Sequence, residues 1–80
     1  MVMRVEDVNV NELIEAVQLG RIRVLTVTEM AAITRMSKMT VYRCIHSGDL
    51  TGEWLGSRTI RIPVEADGGA RDFLEGLGII

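Results

Sequence analysis

Apolar and polar positions alternate along this chain with two different periods, and the switches between them mark out its elements. Val10, Leu13, Ile14 and Val17 fall on one stripe of a helix. Asn9 stands ahead of them as a cap, Glu12 follows at capping-box spacing and Gly20 supplies a left-handed stop, so a helix is predicted over 10–19. The period then shortens to two in "RIRVL", where Arg21 and Arg23 alternate with Ile22 and Val24, as in a strand with one buried side. At "TVTE" the helical spacing returns. Thr26 and Glu29 form a second capping-box pair, Met30 and Ile33 point one way, and Ala31 with Ala32 lets another helix approach closely. A third helix follows within a few residues, capped by Ser37, with its body over 40–46 and its end at Ser47-Gly48. Beyond Leu50 the pattern is a hairpin: Trp54 and Leu55, the turn "GSR", then Ile60 and Ile62 alternating with Thr59 and Arg61 until Pro63. Trp54 is expected to pack the hairpin on a helix. The tail reads as a flexible break at "ADGGA", followed by Phe73, Leu74 and Leu77 at helical spacing and an apolar "LGII".

The third helix has two unlike faces. In "TVYRCIHSGDL", Val41, Cys44 and Ile45 fit a core, while Tyr42, Arg43 and His46 fall together on the other side. An ordinary solvated surface is the plain reading of that side. The sharper one is a surface that reads a charged partner.

The order of elements and the residues at their joints carry a family resemblance. The series "LTVTEMAAI..MSKMTVYRCIHSGDL....LGSRTIRIP", over Leu25 to Pro63, resembles the excisionase-like, MerR-type winged helix-turn-helix DNA-binding family. Ser37, Thr40, Val41, Ser47, Gly48, Asp49, Leu50, Gly56, Arg58, Arg61 and Ile62 match that family's positions in order. Arg35 stands where the family often has a glycine in the turn, and Gly68-Gly69 interrupts the helix that usually follows the wing at once. The resemblance implies a mainly helical fold with a small β wing: a winged helix-turn-helix with an added N-terminal helix and a short C-terminal helix. The corresponding division is one domain over 1–80, with an N-terminal helical extension at 1–20, the winged core at 21–66 and a tail helix at 67–80.

On this reading the third helix enters the major groove of double-stranded DNA. It then needs core contacts on one face and hydrogen-bond donors on the other, a demand that Val41 and Ile45 against Arg43 and His46 satisfy. Arg43 is the candidate for a base edge, because a guanidinium donates two parallel bonds to guanine, worth about 1–3 kcal/mol of discrimination. Lys38 near the helix start suits a phosphate, as do Ser37 and Thr40 beside the free N–H groups of the helix N-terminus. Met39 suits a thymine methyl. Arg58 at the wing tip, with Ser57 beside it, is the contact that the family implies for the minor groove or backbone. Each has a plainer role: Ser37 caps its helix with or without DNA, Tyr42 can lie along the helix surface, and His46 can be a solvated helix end.

Charge changes the picture once it is located. The net charge of −2 argues against a polyanion partner, but its distribution is segregated. From Arg21 to Arg61 seven basic residues face three acidic ones, a net of +4, while 1–20 and 62–80 each sum to −3. Salt screens over about 10 Å, so a basic middle acts locally despite acidic ends. At 80 residues the chain is of a size that buries about three-fifths of its unfolded surface. The start "MVMRVEDVNV" has acids where a secretory signal would be basic, and no apolar run approaches a membrane span, so a cytoplasmic protein of a bacterial host cell is expected, with no membrane partner. Cys44 is the single cysteine; neither a disulfide nor a zinc site is expected, and a small buried filler is.

An enzyme is not expected: one histidine, one cysteine and no phosphate loop or metal-ligand spacing offer no convergent chemistry. No metal or cofactor is expected either. The resemblance implies a phage-type excisionase, a recombination directionality factor that binds tandem sites cooperatively and bends DNA, directing an integrase, a tyrosine or serine recombinase, towards excision. The alternative is a MerR-like transcriptional regulator, because one fold serves both tasks. A third reading is a protein-interaction module on the same fold. The apolar tail is expected to dock on its own core or on a neighbouring copy along DNA.

Overall fold

The computed structural model describes residues 9–57 and 59–80; Arg58 and residues 1–8 lie outside them. Helix α1 (Val10–Gln18) is capped by Asn9, whose side chain accepts from the Glu12 amide at 3.1 Å. Strand β1 (Val24–Thr26) runs directly into α2 (Val27–Thr34), and Thr26 closes both. Its hydroxyl accepts from the Glu29 amide at 3.0 Å while the Glu29 carboxylate accepts from the Thr26 amide at 2.9 Å, the full capping box expected from their spacing. Helix α3 (Lys38–Ser47) follows after a short turn and ends at Gly48, which takes the left-handed conformation (φ 88°). Strands β2 (Glu53–Leu55) and β3 (Thr59–Pro63) form the hairpin, and α4 (Ala70–Gly76) closes the chain.

The hairpin is part of a three-stranded antiparallel sheet of order β1-β3-β2. Leu25 pairs with Ile62 and Thr26 with Arg61 on one side of β3, while Glu53 pairs with Arg61 and Trp54 with Ile60 on the other. This register corrects the alternation expected for "RIRVL". Leu25 is the buried strand residue, Val24 is 39% exposed, and Ile22, ahead of the strand, packs half-buried against the core. The pairing of Leu25 with the fully buried Ile62 sets the face, and the pleat then turns Val24 outward.

The core gathers Val17, Leu25, Met30, Val41, Leu50, Ile62, Val64 and Leu74 from every part of the described chain. In α2, Val27, Met30, Ala31, Ala32 and Ile33 are all buried, so this helix is enclosed on most sides and not only along the Met30–Ile33 stripe. Cys44 is half-buried against the core rather than within it.

The segment "ADGGA" is a tight seat, not a flexible break. A Cβ on Gly69 would lie 2.2 Å from the Pro63 carbonyl oxygen, so only glycine lets the two backbones meet. Thr51 ties the seat from the other side: its amide donates to the Gly68 carbonyl at 2.7 Å and its hydroxyl to that of Asp67 at 2.8 Å. The Asp72 carboxylate accepts from the Gly68 amide at 2.9 Å. Helix α4 is thereby placed so that Leu74 enters the core, Phe73 packs half-buried and Leu77 stays exposed. Arg71 joins α4 to α1, donating to the Val17 carbonyl through Nη2 and pairing with Glu65 through Nε at 2.6 Å. The fold is the mainly helical, winged helix-turn-helix, with α1 and α4 added and β1 widening the wing into a sheet.

Candidate nucleic-acid interface

Helix α3 owes its position to the turn before it. Arg35 adopts the left-handed conformation (φ 61°, ψ 22°), which a Cβ disfavours. Thr34 braces that turn: its hydroxyl donates to the Met30 carbonyl at 2.8 Å and accepts from the Met36 amide at 3.3 Å. The chain thus makes a sharp helix-to-helix turn without glycine. Ser37 then caps α3, its hydroxyl accepting from the Thr40 amide at 3.1 Å and lying 2.9 Å from the Thr40 hydroxyl.

Val41 pins α3 to the core, with Ile45 and Cys44 half-buried on either side of it. Helical rotation then carries Met39, Arg43 and His46 to the opposite face, and all three are exposed, Met39 by 61%. Tyr42 departs from the face expected for it. It is half-buried and packs against the core, so it stands on the shoulder of α3 rather than beside Arg43 on the outer side. Lys38 and Ser37 are exposed at the helix start, and Thr40 is half-buried. The ion pair among the described residues joins Arg71 to Glu65 and engages neither Arg43 nor Lys38.

A groove of about 280 Å³ runs between the start of α2, the shoulder of α3 and the first residues of β3. Thr26, Thr28, Lys38, Tyr42, Thr59 and Arg61 line it. Two cations and four hydroxyls around one groove form an anion-friendly surface of donors. It exists because β1 pairs with residues 61–63 of β3 but not with Thr59 and Ile60, which leaves that stretch open on the α2 side. Arg61 and Thr28 were not among the sequence candidates. The outward alternation of Arg61 was legible, but its pairing with Thr26 joins segments far apart in sequence and has no local signal.

The hairpin contributes Ser57, exposed at the turn, while Arg58 lies outside the described residues. Trp54 corrects the expected packing of wing on helix: it is 54% exposed, and β2 is exposed at every residue. The strand is three residues long at the sheet edge, and Ile60 and Ile62 of β3 fill the core contact without it. Among the described residues no three His, Cys, Asp or Glu side chains are grouped to hold a metal ion, and no helix is long and apolar enough to cross a membrane.

The family profile described as "Helix-turn-helix domain" matches residues 24–66. The chain belongs to the helix-turn-helix domain family. The matched span runs from the first residue of β1 through the whole of β3, so the family segment includes α2, the Arg35 turn, α3 and the wing. Helices α1 and α4 lie outside it. Two relatives from Mycobacterium tuberculosis, "Putative DNA-binding protein MT0521" of strain CDC 1551 / Oshkosh and "Putative DNA-binding protein Rv0500A" of strain ATCC 25618 / H37Rv, are similar to it. Each is 43% identical over 58 residues, covering 72% of this chain and 69% of the relative. No solved structure matches the chain.

Proposed function

We propose that this helix-turn-helix protein binds double-stranded DNA in a sequence-dependent way, with α3 in the major groove and the β2–β3 hairpin against the flanking strand. The observation that carries the reading is the outer face of α3. Arg43, His46 and Met39 project from a helix whose other side is anchored by Val41. The names of the mycobacterial relatives support the same partner. Arg43 is assigned to a base edge, and Lys38, Ser37 and Thr40 to phosphates, with Arg61 and Thr28 added from the groove. Ser57 and Arg58 are assigned to the wing contact, the latter on sequence alone.

Salt dependence tests the reading. If about five phosphates are neutralised, log affinity falls against log salt with a slope of about −4 to −5. A slope near zero would point instead to an apolar protein interface and remove the DNA assignment.

At the finer scale the motif series supports an excisionase-type role, in which copies on tandem sites bend DNA and direct an integrase towards excision. A MerR-like promoter regulator shares the same domain. A footprint on DNA flanking the gene separates them: protection of several tandem sites beside an attachment site supports excision, and one palindrome over a promoter supports transcriptional control.

A further inference from the structure

Trp54 is the single tryptophan of the chain, and the fold makes little use of it. Its direction is nonetheless fixed. Directly opposed residues in an antiparallel ladder share a face, so Trp54 points to the same side as its partner Ile60. Gly52, two residues earlier, faces that way too: a Cβ there would lie 3.0 Å from Ile45 Cγ2 and 3.1 Å from Ile60 Cγ2. This side of the hairpin is therefore the one applied to α3 through Ile45. Trp54 stands on it farther out towards the tip, half in solvent.

Ile60 also lines the groove that holds Lys38 and Tyr42, so the indole lies across β3 from that groove. Glu53, the neighbouring acid, points to the other face of the strand, on the side of its partner Arg61, the groove's second cation. An indole offers a flat apolar body and one N–H donor with no acceptor, which matches a deoxyribose edge beside a phosphate oxygen. We infer that Trp54 is a DNA-contacting residue whose ring lies against the sugar–phosphate strand between α3 and the wing, with Nε1–H donating to a phosphate oxygen. The inference rests on the DNA reading above and adds to it the residue that closes the cleft.

Because Trp54 is alone, tryptophan emission of the full chain reports it directly. The probe is a short labelled duplex that the protein selects from a random-sequence pool. Binding is followed by anisotropy of the label and, in parallel, by emission and its quenching by acrylamide. Saturation by duplex is expected to move the emission to shorter wavelength and to reduce acrylamide quenching. Trp54→Ala is expected to weaken binding about tenfold, the loss that truncating one well-seated aromatic contact gives. Trp54→Phe, which keeps a ring but loses the donor, is expected to fall between. The half-exposed position leaves the fold of both variants intact, which far-ultraviolet circular dichroism checks. Tight duplex binding with unchanged emission and an unaffected Trp54→Ala variant would overturn this inference while leaving the DNA reading standing. Failure of any duplex to bind would overturn both. An emission shift that follows protein concentration without DNA would assign the indole to a second copy of this chain and overturn the inference alone.

Discussion

Two cations on α3 are assigned different kinds of contact, and their variants should therefore fail differently. Arg43 on the outer face, away from Val41, is proposed to meet a base edge, so Arg43→Ala is expected to lose about 1–3 kcal/mol of preference for the selected site over a scrambled one. Lys38, in the groove at the helix start, is proposed to meet phosphate. Lys38→Ala is expected to weaken both duplexes alike and to reduce the salt slope by about one. Competition binding at two salt concentrations checks the pair, and equal behaviour of the two variants would remove the distinction. The single-residue readings that succeeded, Ser37, Thr26 and Gly48 among them, all concern joints whose hydrogen bonds close within three or four residues. Those that failed concern sidedness. Trp54 is large and apolar, which argues for burial, yet a three-residue edge strand had no remaining core to offer it. Val24 was placed inward by local alternation and turned outward by the pairing of Leu25 with Ile62.

The α2–α3 pair shows how an element can be legible while its energetics are not. Both helices and both caps follow from spacing, but the turn between them uses Arg35 at φ 61° where glycine would be free of strain. Arg35→Gly is expected to raise unfolding stability by roughly 0.5–1 kcal/mol, because relief of strain exceeds the added entropy of the unfolded chain. Arg35→Ala keeps the Cβ and should show no such gain. Denaturant unfolding of the two variants checks this, and equal midpoints would mean that the Thr34 bonds already hold the turn without strain. The hairpin was readable for the same reason as the helices, since β2 and β3 meet across a short turn. The pairing of β1 with β3 was not, because nothing near Val24 specifies a partner at Pro63. Gly68-Gly69 misled in the opposite sense: two glycines signal freedom in sequence, whereas here one of them permits the contact with the Pro63 carbonyl that seats α4.

At the scale of the whole molecule, the two helices outside the matched family span are joined to each other. Arg71 ties α4, which carries Asp72 and Glu75, to α1, which carries Glu12 and Glu15. The apolar tail is spent in the same closure: Ile79 and Ile80 pack half-buried against the core, and the Ile79 amide donates to the Leu74 carbonyl at 3.0 Å. Removal of residues 78–80 is expected to cost about 1–3 kcal/mol of stability. Cooperativity on a fragment with tandem sites should be unchanged, and its loss would show that the tail bridges neighbouring copies. One surface, formed by the outer face of α3, its groove with β3 and the hairpin, is proposed to receive DNA. Backbone amide chemical shifts of the full chain, followed while the selected duplex is added, test that surface directly. The expected result is a set of changes concentrated in residues 37–47 and 53–61, with α1 and α4 quiet. Changes centred on α1 and α4, with the Arg43 and Trp54 amides unmoved, would contradict it.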